Sequence, residues 1–186
     1  MTELNPRDAA VKRVDEQTYE TFSQHEIDAQ LVNGVFRHYR CARPNTRNYA
    51  FNVTTFPGRL IVTGDIGTLI VERLNDMFDW APGAIGSIDY FASKTPSEMQ
   101  TEEFSIDAVQ WWLEHEIHET YEDETAQTEI KDGLEWMDDM TEGEVMRVIY
   151  DATHDCEMPS FKEWTSSFLW CRAALRWFFS RVGDKR

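Results

Sequence analysis

The sequence predicts an α+β protein: an antiparallel meander of about five strands over residues 26–73, packed with a mostly helical, acidic C-terminal half. Three observations carry that expectation. Short extended runs separated by tight-turn signals fill residues 26–73. Beyond residue 105, apolar side chains recur at helical spacing. The net charge of -16 is also regional. Residues 1–100 hold 13 acidic and 10 basic side chains, 101–157 hold 19 acidic and two basic, and 158–186 hold two acidic and six basic.

Taken in order, the first twenty or so residues are polar, with weak helical promise at 15–22. Asn33-Gly34 between two extended runs signals a hairpin. In the run NYAFNVTTF the alternation places Tyr49, Phe51 and Val53 on one face. Phe56-Pro57-Gly58-Arg59 has the Pro and Gly positions of a type II turn. RLIVT and TLIVE are apolar on both faces and read as central strands covered on both sides. The Gly64-Asp65-Ile66-Gly67 loop between them lacks the Lys, extra glycines and following helix of a phosphate cradle. It reads as a hairpin turn, its glycines supplying positive φ.

Pro82, Gly83, Gly86 and Pro96 mark a seam. The expected division is a β-rich lobe at 1–100, with its polar N-terminal segment, and a helical lobe at 101–186, forming one compact unit. The second lobe holds acidic helices over 105–153 and an aromatic-rich final helix over 160–182. The helix at 105–121 places Ile106, Val109, Leu113, Ile117 and Tyr121 on one stripe. The next, 125–140, buries Ile130, Leu134 and Met137. Thr141 with Glu144, and Ser160 with Glu163, read as capping boxes opening the last two helices.

A composition with 41% hydrophobic and 13% aromatic residues excludes disorder as the default. The acidity argues against direct nucleic-acid binding through phosphates. Cys41, Cys156 and Cys171, widely spaced, read as free thiols in a reducing compartment. No apolar leader is visible, and no run reaches the ~18 apolar residues of a membrane span. A cytoplasmic protein is expected.

Several groups of residues are candidates for function. His115-Glu116-Ile117-His118 resembles a zinc-protease box, but its histidines are three apart rather than four. A shared helix face would still let His115, His118 and Glu122 hold a metal, the basis of an alternative reading as a metal-dependent enzyme. Otherwise no cofactor is expected and no catalytic residue is assigned. The HDCE run at 154–157 reads as a polar loop, and Arg37, Arg40, Arg43, Arg47 and Arg59 as strand-edge solubilisation. Trp111 reads as an interface anchor. Trp170 and Trp177 form a second apolar stripe on the final helix, fitting either a sandwiched helix or self-association as a homodimer. Arg172, Arg176 and Arg181 would pair with the acidic helices. The most weight falls on Glu114, Glu116, Glu119, Glu122, Asp123, Glu124, Glu129, Asp132, Glu135, Asp138 and Asp139. Displayed on helices, they approach the charge density of duplex DNA, about one charge per ~1.7 Å of axis.

The core at 43–78 also resembles one found in phage and prophage proteins. It is carried by Arg43, Pro44, Tyr49, Phe51, Thr55, Pro57, Gly58, Leu60, Gly64, Asp65, Gly67, Arg73, Asp76, Met77 and Phe78, after Arg37-His38. The resemblance covers about a third of the chain and implies a phage origin without supplying catalytic residues. Setting and charge together lead to an expected anti-CRISPR-like inhibitor of host defence. It would act by protein binding, with the acidic surface in the basic nucleic-acid-binding groove of a host protein such as a CRISPR effector.

Overall fold

A computed structural model describes residues 4–182; residues 1–3 of the N-terminal segment and 183–186 of the expected helical lobe lie outside them. The elements run α1 (Pro6–Thr21), β1 (Glu26–Asn33), β2 (Phe36–Ala42), β3 (Phe51–Phe56), β4 (Arg59–Gly64), β5 (Gly67–Glu72), α2 (Ala81–Ala84) and α3 (Ile88–Ala92). Then follow β6 (Glu102–Phe104), α4 (Ile106–His115), α5 (Ile117–Thr120), α6 (Glu124–Gly133), α7 (Glu142–Thr153), β7 (Lys162–Trp164) and α8 (Ser166–Val182). The chain is α+β. Strands β1 to β5 form one antiparallel sheet in sequence order, and β6 pairs with β7.

Two compact units result: residues 4–9 with 102–163, and residues 10–101 with 164–182. The residues read as a seam, Pro82, Gly83, Gly86 and Pro96, lie within the second of these units, and the chain passes between units at 101/102 and again at 163/164. The final helix therefore belongs with the sheet rather than with the acidic helices. Its composition explains this. Phe168, Leu169, Cys171, Ala173, Ala174, Leu175, Trp177, Phe178 and Phe179 are all buried, so α8 is apolar almost all round and needs cover on both sides. Tyr39 and Phe178 meet on the sheet side at 5.1 Å, and Phe91 lies 6.5 Å from Phe168 beyond it. The dual-stripe pattern thus belongs to a sandwiched helix.

Both strands of each predicted hairpin form, joined at Gly34, Gly58 and the Gly64–Gly67 turn. In that last turn the glycines permit close approach as well as positive φ. A Cβ on Gly64 would lie 2.2 Å from the Ala50 carbonyl oxygen, and one on Gly67 would lie 1.9 Å from Ser167 Oγ. The Asp65 carboxylate accepts a hydrogen bond from Tyr49 N–H at 2.8 Å, tying the turn to the segment before β3.

Other expectations are corrected. Tyr49 lies outside β3 in a left-handed conformation, φ 56°, and the buried face is Phe51, Val53 and Thr55. β4 and β5 bury one face, Leu60, Val62, Leu69 and Val71, while Ile61 and Ile70 are only half-buried. β5 is an edge strand, so double apolarity here did not mean a central position. The N-terminal helix is a full 16 residues, opened by the Asn5 side chain accepting from Asp8 N–H, with Pro6 in its first turn. The final helix starts at 166, not 160. Thr165 Oγ1 accepts from Phe168 N–H, whereas Glu163 accepts from the Ser105 hydroxyl instead of closing a box with Ser160.

Candidate functional site

The unit formed by 4–9 and 102–163 has its own core: Val109, Trp112, Ile117, Tyr121, Ile130, Leu134, Val145, Ile149 and Phe161. Val109, Trp112, Ile117, Ile130, Val145 and Ile149 come from four short helices, Tyr121 and Leu134 follow helix ends, and Phe161 precedes β7; Ala108, Leu113, Met146 and Val148 pack at the margin, and the remaining faces carry exposed polar side chains. Caps hold the helix ends. Ser105 Oγ accepts from Ala108 N–H, Asp123 from Thr125 N–H, and Thr141 with Glu144 forms the reciprocal box that the spacing predicted. In that box Glu144 accepts from the Thr141 N–H and hydroxyl, which holds its pKa below the usual carboxylate value. Carboxylates near helix N-termini also meet the favourable end of the helix dipole, which offsets part of their mutual repulsion.

The expected helices are shorter than their apolar patterns. The first breaks after His115 and restarts at Ile117. The second ends at Gly133, where the Leu134 N–H returns to the Ile130 carbonyl, and a 3-10 turn follows at Met137–Asp139. The break bears directly on the metal candidates. His115 is half-buried, stacked on Trp111 at 4.8 Å, with Nδ1 2.8 Å from the Trp111 carbonyl oxygen. His118 is exposed on α5, so the two imidazoles do not share one continuous helix face. Among the described residues no three His, Cys, Asp or Glu side chains converge to hold a metal ion. The alternative metal group of His115, His118 and Glu122 is therefore not brought together among the described residues.

The acidic residues do form a common feature. Residues 4–9 and 102–163 hold 21 acidic and four basic side chains, a net of -17. All eleven predicted carboxylates, from Glu114 to Asp139, are exposed. Among the described residues none lies within 4.0 Å of a lysine or arginine. Of the unit's four cations, Arg7 pairs with Glu102, Lys162 with Glu142 and Arg147 with Asp151, while Lys131 on α6 makes no ion pair within 4.0 Å among the described residues. The second unit, 10–101 with 164–182, holds 11 acidic and 12 basic side chains.

Two of the three arginines expected to neutralise the acidic helices, Arg172 and Arg176, are engaged elsewhere. Arg172 is buried, and its Nε donates to the Ile85 carbonyl at 3.0 Å. Arg172 and Arg176 both pair with Asp15 of α1. Arg37 forms a two-pronged pair with Asp76 at 2.6 and 2.7 Å and stacks on Phe78. Arg59 pairs with Glu72. Arg40, Arg43 and Arg47 line a concave surface of about 760 Å³, but Glu26 and Asp28 share that lining, so it is not a one-signed phosphate grip. Arg181 is exposed.

The aromatic candidates divide. Trp177 is 2% exposed and packs against Phe22, His25 and Phe51, so it is core and not a contact surface. Trp170 is half-buried against Phe22 and Tyr49. Trp111 is half-buried and lines a cleft of about 490 Å³ with Trp112, Met158, Phe161 and Lys162. Sequence reasoning missed Trp136. It is 81% exposed, the highest value among the described large hydrophobic residues, and sits between Glu135 and Asp138. The signal was present, because position 136 lies off the Ile130, Leu134, Met137 stripe. No helix among the described residues is long and apolar enough to cross a membrane. No family model, curated protein or solved structure matches this chain.

Proposed function

We propose that this protein is a phage-encoded inhibitor of a bacterial defence system, working in the host cytoplasm. Its acidic unit would occupy a basic nucleic-acid-binding groove on a host protein such as a CRISPR effector. One observation carries the reading: a net of -17 is confined to one unit, in which the eleven exposed carboxylates from Glu114 to Asp139 have no lysine or arginine partner among the described residues, while the other unit is near neutral. Self-repulsion of that size disfavours the folded state, so a solubilising role alone is a costly use of it. A groove that binds phosphates offers compensating charge, and association there is steered and salt-sensitive. The protein itself binds no nucleic acid in this scheme.

The test is capture of host proteins from lysate by the parent and by an E119K/E122K/D123K variant, at low and high salt. Capture of a basic nucleic-acid-binding protein that weakens with salt and with charge reversal is the expected result. Capture indifferent to both removes the proposal. The metal-enzyme alternative loses its shared helix face at the α4–α5 break. Self-association through Trp170 and Trp177 would require unpacking the core around Trp177.

A further inference from the structure

Among the described residues of the acidic unit, Trp136 at 81% is the large apolar side chain most exposed to water; Leu4 and Tyr150, at 46% and 45%, come next. A tryptophan buries ~150–250 Å² when packed, so leaving it out forgoes a large stabilisation. Its apolar neighbours along the chain are covered. Leu134 is fully buried, and Met137 and Met140 pack against the same core. Trp136 nonetheless points outward, on a segment held by hydrogen bonds from Leu134 N–H to the Ile130 carbonyl, Glu135 N–H to the Asp132 carbonyl and Met140 N–H to the Met137 carbonyl. Its chain neighbours Glu135, Asp138 and Asp139 are exposed carboxylates without a lysine or arginine partner among the described residues.

We infer that Trp136 is the aromatic anchor of the acidic surface and receives an arginine side chain of the basic partner, whose guanidinium stacks on the indole while the adjacent carboxylates take its hydrogen bonds. This deepens the acidic-surface reading and depends on it. The indole face carries negative electrostatic potential, so ring and carboxylates attract the same cation. Arginine fits better than lysine because its planar, weakly hydrated head stacks and forks at once. Arginines in nucleic-acid grooves stack on bases and pair with phosphates. An indole among carboxylates presents both features together, standing for a base among phosphates.

The experiment titrates the whole protein with oligo-arginine and oligo-lysine peptides of equal length, at low and near-physiological salt. Calorimetry gives the affinity, and the fluorescence difference between the parent and W136F isolates the signal of this indole. At low salt both peptides bind, with oligo-arginine favoured by about two- to fivefold, the range for an exposed cation–π contact. W136A removes the preference but keeps salt-dependent binding of both peptides, and W136F retains part of the preference. Because the side chain is exposed, unchanged melting of W136A confirms an intact fold. Equal affinities in the parent, or a preference surviving in W136A, would overturn the assignment while leaving the acidic surface standing. Failure of both peptides to bind at low salt would overturn the acidic-surface reading and this inference together.

Discussion

The two units of this chain solve opposite electrostatic problems with similar helices and turns. The sheet unit nearly balances its charges and places them in pairs: Arg37 with Asp76, Arg59 with Glu72, and Asp15 shared by Arg172 and Arg176. The helical unit holds 21 acidic against four basic side chains, and among the described residues the eleven carboxylates from Glu114 to Asp139 have no lysine or arginine within 4.0 Å. Its helices are short, its core is one stripe deep, and its stability leans on caps. The contrast teaches where each unit should be fragile. The first depends on a buried network and close packing; the second depends on local capping and on the ionic atmosphere.

The largest expected effect breaks the sheet unit. Arg172→Ala removes a 4%-exposed guanidinium that serves the Ile85 carbonyl and Asp15, and should cost about 3–5 kcal/mol. Thermal unfolding should show that loss, while the charge of the acidic unit is untouched. Next comes the β4–β5 turn. Gly67→Ala should cost roughly 1–3 kcal/mol through its clash with Ser167, and adding Ser167→Gly should recover a good part of it. A double-mutant cycle by chemical denaturation measures the coupling. Thr141→Ala removes the cap of α7 and should cost about 1 kcal/mol, confined to the helical unit and visible as faster amide exchange along α7.

Two smaller effects sharpen the contrast through solution conditions. Replacing Glu129, Asp132, Glu135 and Asp138 with their amides should raise the melting temperature at low salt. The gain should fade as salt rises and the Debye length falls to ~10 Å near 0.1 M. A gain independent of salt would argue against self-repulsion in this unit. In the sheet unit, His25 Nε2 donates to the Tyr49 carbonyl, while Nδ1 is buried without a hydrogen-bond partner among the described residues, and burial lowers the pKa from 6.5. The depressed value means that the unfolded chain takes up the proton first. Stability present above pH 6.5 is therefore lost as pH falls through the folded-state value. A His25→Gln variant should flatten that part of a stability-against-pH curve.

Much of the architecture was legible because it is local. Asn33-Gly34, Pro57-Gly58 and the two glycines of 64–67 each demand a particular backbone geometry, and all three turns form where expected. The Thr141–Glu144 box is likewise a four-residue affair. The N-terminal helix could have been read from Asn5-Pro6, but its single weak apolar face hid it. The alternative metal reading assumed one helix continuing through Glu116, whereas α4 ends at His115 and α5 begins at Ile117, a break that no helical wheel shows.

By itself the chain's order of residues determined the strand meander, the tight turns and the concentration of charge in one stretch, because each depends on neighbours within a few positions. Only the tertiary structure decided that α8 joins the sheet across a 62-residue excursion (102–163), that Arg172 and Arg176 both pair with Asp15, and that Trp177 is core while Trp136 stands in water. Those outcomes depend on which distant surface covers which apolar stripe. Periodicity along the chain reports that a face must be covered, but not by what.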